Sequence, residues 1–120
     1  MILNFGHTIG HAIEKATHFR RYSHGMAVAI GMYHMARIGE EMGITAAGCA
    51  KELAAVLDQY GLPRFSQLPA AELAEAALGD KKRAGDTINL VFLKEMGVAV
   101  TEKFSVERLP EIFSLCGDTL

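Results

Sequence analysis

The sequence predicts a mainly α fold, a helical bundle-like domain with one small β-hairpin. Three observations carry that prediction. Apolar residues recur at three- and four-residue steps through most of the 120 residues, the period of a helix with one buried face. Gly43 closes one of these segments, and Gly61 with Pro63 closes the next. One run alone, Thr87-Ile88-Asn89-Leu90-Val91-Phe92-Leu93, alternates and is rich in β-branched residues.

Residues 8–17 read as a short helix with Thr8 near its start, and 18–23 as a polar, aromatic loop. From His24 to Met42, the residues Val28, Met32, Met35, Ile38 and Met42 mark a second helix. Ala27, Ile30 and Gly31 make its first half apolar nearly all round, which suits a buried central helix. Gly43 ends it. Thr45 is placed to cap a third helix over 46–60, with Leu53, Val56, Leu57 and Tyr60 inward. Gly61 and Pro63 stop that one. Pro69 suits the first turn of a fourth, over 69–78. A charged turn follows, Gly79 to Asp86. Then come the strand, a turn at 95–97 and a returning strand at 98–101. Ser105 caps a last short helix carrying Val106, Leu109, Ile112 and Phe113. A hairpin alone is marginal in water and needs a helix beneath it, which this sequence supplies.

A length of 120 residues suits one domain, 1–120, with one core. The formal net charge of -2 gives no electrostatic case for nucleic acid or an anionic membrane as partner. No apolar run approaches the ~20 residues of a membrane span. Cys49 and Cys116 form no CxxC pair and read as idle thiols of a reducing cytoplasm.

The chemistry is concentrated at the start. Asn4-Phe5-Gly6-His7-Thr8-Ile9-Gly10-His11-Ala12-Ile13-Glu14, answered by His24-Gly25, holds three of the five histidines, and with His18 four of the five fall in the first 24 residues. His7 and His11 stand four apart, on one helix face, and Glu14 extends it by about a turn. The glycines at 6, 10 and 25 permit close approach. His7 and His24, from separate elements, suit two ligands of one metal ion, or two histidines that cap or pack; no HExxH context decides between them. Glu14 is a third-ligand candidate about two turns from His7. His11 suits acid–base or anion-binding work, although spacing alone favours a half-buried, satisfied imidazole. Asn4 can reach a ligand or cap the first helix. Lys81, Lys82 and Arg83 suit a phosphate or carboxylate clamp, or a solvated basic turn. His18 and His34 read as surface or core. The methionines at 26, 32, 35 and 42 read as core filler.

Three linked motifs are familiar in combination: Leu3 to Glu14, His24-Gly25 with Ala27 to Met32, and Asp80-Lys81-Lys82 before a hairpin. In order and spacing, from residue 3 to near the end, the sequence resembles the C-terminal domain of 3-dehydroquinate synthase. The related sugar-phosphate cyclases, such as 2-deoxy-scyllo-inosose synthase, share much of this pattern.

The resemblance implies a cytoplasmic, homo-oligomeric lyase of the shikimate pathway. Its members convert 3-deoxy-arabino-heptulosonate 7-phosphate to 3-dehydroquinate with loss of phosphate, using NAD and zinc (or cobalt). It implies His7 and His24 as zinc ligands and Asn4 and His11 as substrate-binding positions near the phosphate. One of Lys81 and Lys82 falls on a substrate-binding lysine, and His11 and these lysines are the catalytic candidates. It also implies that the nucleotide-binding domain, the NAD site and a zinc-ligating glutamate lie outside this sequence. The isolated chain is therefore expected to turn over no substrate and to bind zinc weakly or not at all. Met26 stands where family members commonly carry Glu after His-Gly. A related cyclase domain and a non-catalytic binding module are the alternatives.

Overall fold

The first two helices start where their local chemistry starts them. In the computed structural model, which describes residues 4–79 and 86–120, α1 spans His7–Ala16 and α2 His24–Glu41. Gly6, at φ +81°, turns the chain into α1 with no side-chain cap. Asn4 therefore does not cap α1. Ser23 caps α2 by accepting the Met26 N–H. Gly43, at φ +76°, ends α2: its N–H bonds the Glu40 carbonyl and that of Ile44 bonds Gly39.

The third helix, α3 (Cys49–Gln59), begins later than the sequence predicts. Its cap is not Thr45. That side chain is buried, its hydroxyl lacks a hydrogen-bond partner, and it lies where a Cβ on Gly39 would be. The Glu40 carboxylate of α2 caps α3 instead, accepting from Gly48 N at 3.3 Å and Ala50 N at 2.7 Å. An anion at a helix N-terminus satisfies orphan amides and complements the helix dipole. A fourth helix, α4 (Ala70–Leu78), follows Pro69, and α5 (Leu109–Phe113) follows a 3-10 turn over Val106–Arg108 opened by Ser105.

Strands β1 (Thr87–Glu95) and β2 (Val98–Ser105) form the antiparallel hairpin. β2 runs four residues past its predicted end. Glu102 and Lys103 are charged and break the apolar pattern, but Glu102, Lys103 and Phe104 pair with Leu90, Asn89 and Ile88. Ile88, Leu90 and Phe92 alternate into the core, leaving Asn89 and Val91 on the other face.

Helix α2 is the centre. α1, α3 and β1 pack on it, and α4 packs on α1 and α5. Ala27, Ile30 and Gly31 are buried, as a central helix requires, but the inner face is turned from the predicted stripe, which it keeps only at Met35 and Ile38: His34 is buried too, whereas Val28, Met32 and Met42 are only half-buried. Small residues win the inner positions because α1 crosses there. A Cβ on Gly31 would strike the Gly6 carbonyl oxygen and come within 2.9 Å of Gly10 N. Gly25, by contrast, has open space around it and serves no close approach. On α3, Leu53 and Leu57 face inward, while Val56 and Tyr60 are exposed, contrary to the predicted face. Among the described residues no helix is long and apolar enough to cross a membrane.

Candidate metal and substrate site

The α1–α2 crossing sets the site. Because Gly6, Gly10 and Gly31 let the backbones nearly touch, the first residues of the two helices come together. The rings of His7 and His24 stand edge to face with centroids 5.6 Å apart. Two imidazoles on one tetrahedral ion, each nitrogen about 2 Å from it, would have centroids roughly 5 Å apart. The centroid spacing of the pair is close to that value. Among the described residues, no group of three or more His, Cys, Asp or Glu side chains converges to hold a metal.

Glu14, a third-ligand candidate by sequence, occupies a different position. It is buried at 8% exposure within α1. Its carboxylate lies 3.2 and 3.3 Å from His24 Nδ1 and 3.7 Å from His11 Nδ1. An ionised carboxylate only accepts, so the His24 contact is a bond donated by Nδ1–H.

Next to the pair, Asn4, His7, Thr8 and His11 form one wall of a cavity of about 570 Å³. Ala77 of α4 and Ile88, Asn89, Val91 and Thr101 of the hairpin complete it. His7 and His11 share this wall as their spacing predicts. His11 is exposed, and its ring stands 6.3 Å from that of Phe19 in edge-to-face contact. His18 and Phe19 both adopt positive φ, 56° and 59°, a conformation that costs a non-glycine residue energy. Lys81, Lys82 and Arg83 lie outside the described residues. Ala77 and Ile88, on either side of them in sequence, both line the cavity.

The sequence reading did not find Thr8, Asn89 and Thr101. An Asn on the non-core face of an otherwise apolar strand is the signal that was available. Met26 is half-buried in the first turn of α2, and its backbone N–H is taken by Ser23. His34 belongs to the core rather than the surface, fully buried and edge-on to Tyr33 and Phe65. Cys49 and Cys116 are free thiols, as expected.

This arrangement sets two imidazoles edge to face beside a cavity lined by Asn4, Thr8, His11, Asn89 and Thr101. A family model for the 3-dehydroquinate synthase C-terminal domain matches residues 1–83. The chain is 41% identical over 108 residues to the 3-dehydroquinate synthase of Clostridium beijerinckii, covering 89% of this chain and 31% of that protein. It is 44% identical over 104 residues to that of Clostridium acetobutylicum (86% and 29%), and 37% identical over 112 residues to that of Streptococcus pneumoniae (92% and 32%). The chain thus spans about a third of the length of the curated relatives it matches. Among solved structures, 2-deoxy-scyllo-inosose synthase superposes with a TM-score of 0.72 at 22% identity, covering 93% of this chain and 31% of that one. A complex of 2-deoxy-scyllo-inosose synthase with carbaglucose-6-phosphate, NAD+ and Co2+ superposes equally, at 21% identity, over 93% of this chain and 32% of that one. Identities this low establish a shared fold.

Proposed function

The chain belongs to the 3-dehydroquinate synthase C-terminal family, and on that premise we propose that it forms the metal- and substrate-binding part of a 3-dehydroquinate synthase. The parent enzyme converts 3-deoxy-arabino-heptulosonate 7-phosphate to 3-dehydroquinate with loss of phosphate. The supporting observation is a single one: His7 and His24 stand 5.6 Å apart, and His7 shares one cavity wall with Asn4 and His11.

In this reading His7 and His24 hold zinc or cobalt through ring nitrogens. The ion, when bound, supplies Lewis acidity that polarises a substrate hydroxyl. Asn4 orients the substrate with its amide. His11, exposed on the wall, binds near the phosphate and can hold or pass a proton there. Lys81 or Lys82 adds positive charge for the phosphate. The NAD site and the remaining metal ligand, a glutamate, come from sequence other than these 120 residues. The isolated chain accordingly turns over no substrate. The parent acts as a cytoplasmic homo-oligomer of the shikimate pathway.

The second reading, a related cyclase domain, draws on the fold shared with 2-deoxy-scyllo-inosose synthase. Identities of 37–44% to 3-dehydroquinate synthases against 21–22% to that enzyme favour the first. The test is to titrate the chain, with zinc present, with the seven-carbon acid phosphate and with carbaglucose-6-phosphate, following backbone and side-chain NMR signals. Shifts at Asn4, His11 and the 81–82 lysines with the acid phosphate alone support the proposal. Shifts with carbaglucose-6-phosphate alone move it to the other cyclase. No shift at these residues with either ligand refutes the substrate-site reading.

A further inference from the structure

We propose that Glu14 is the positioning carboxylate of the histidine site: it accepts the Nδ1–H of His24 and thereby fixes that ring with Nε2 as its free lone pair. The inference rests on the metal reading above and adds a residue to it. It starts from where Glu14 sits. The position is an inner one on α1, beside buried Ala12 and Ile13 and one turn from buried Ile9 and Gly10. Packing there is served by an apolar side chain, and a carboxylate is costly to bury without a partner. Neither of its two histidine neighbours is itself buried: the side chains of His24 and His11 are about two-thirds exposed, at 66% and 65%. The carboxylate is the anchored member, and the rings are the parts held out toward solvent.

The geometry then fixes the proton. Both carboxylate oxygens lie within 3.3 Å of His24 Nδ1, so in the neutral ring the hydrogen sits on Nδ1 and Nε2 keeps its lone pair. A neutral imidazole free in solution exchanges between two tautomers, only one of which offers Nε2 to an ion. Holding the ring in that tautomer and orientation removes this choice before any ligand arrives. A carboxylate behind a ligating histidine has this effect elsewhere, and its loss weakens metal binding about 10–100-fold. His11, 3.7 Å away, is beyond hydrogen-bond distance of the same carboxylate but feels its charge. Glu14 therefore does not act as the metal ligand suggested by its spacing; it acts through His24.

Two readouts on the 120-residue chain test this. In the metal-free, ¹⁵N-labelled chain, at a pH well above the ordinary histidine range, long-range ¹H–¹⁵N correlation reports the His24 tautomer. The expected result is a dominant Nδ1–H form in the native chain, a mixture in Glu14→Ala, and a smaller Nδ1–H excess in Glu14→Gln. A merely structural carboxylate would not move this signature. Glu14→Gln, matched in shape, keeps the test valid should Glu14→Ala fail to fold. The second readout is zinc affinity by calorimetry, expected to fall about 10–100-fold in folded variants. A dominant Nε2–H form in the native chain overturns the proposal, as does a tautomer unchanged in both variants. A pinned tautomer in a chain that binds no zinc supports the role of Glu14, whereas zinc binding undiminished in His24→Ala defeats the metal reading.

Discussion

His34 is the residue whose titration the fold resists most clearly. Burial, with the Arg37 charge adding to it, lowers its pKa from 6.5 to about 4. Neither ring nitrogen has a hydrogen-bond partner in the aromatic cage of Tyr33 and Phe65. The folded chain thus keeps His34 neutral where the unfolded chain protonates it, and unfolding takes up a proton between these two pH values. Stability contributed by the neutral ring is complete above about pH 6.5 and is lost as the pH falls toward 4. The loss reaches about 3 kcal/mol at most. Urea unfolding across this range is expected to show that decline in the native chain and a flatter one in His34→Phe. Parallel curves would contradict it. The sequence left His34 open between surface and core, because no partner for its ring is marked by spacing along the chain.

At the scale of elements, the α1–α2 crossing carries the most consequence. Gly31→Ala would drive a methyl group into the Gly6 carbonyl and Gly10 amide, which are backbone atoms with little room to yield. The expected cost is about 1–3 kcal/mol of stability, read from urea midpoints. A weaker zinc affinity should accompany it, since the same crossing sets the distance between His7 and His24. An unchanged midpoint would show that the helices can part without penalty. The helices, the hairpin and the shared face of His7 and His11 were legible in sequence, because caps, turn glycines and periodicity act within a few residues. What was not legible depends on partners far along the chain. Glu40 caps α3 from eight to ten residues away, the rotation of α2 follows from α1, and the last four residues of β2 are strand only because β1 pairs with them. The approach of His24 to Glu14 likewise needs the crossing angle.

For the whole molecule, Phe19, Val56, Tyr60, Phe65, Val98 and Leu115 are large apolar residues at 41–73% exposure. Apolar surface favours association where such residues gather into one patch. Sedimentation of the isolated chain is expected to show mass rising with concentration, and a clean monomer at high concentration would contradict that. The larger claim is that this fold presents two histidines as half of a metal site whose other half lies in another part of the parent protein. Calorimetric zinc titration of the metal-free chain, beside a His7→Ala, His24→Ala double variant, tests it most directly. The account predicts binding that is weak, near or above the micromolar range, and absent from the double variant. Equal binding by both chains would contradict the claim that His7 and His24 are the residues that hold the ion.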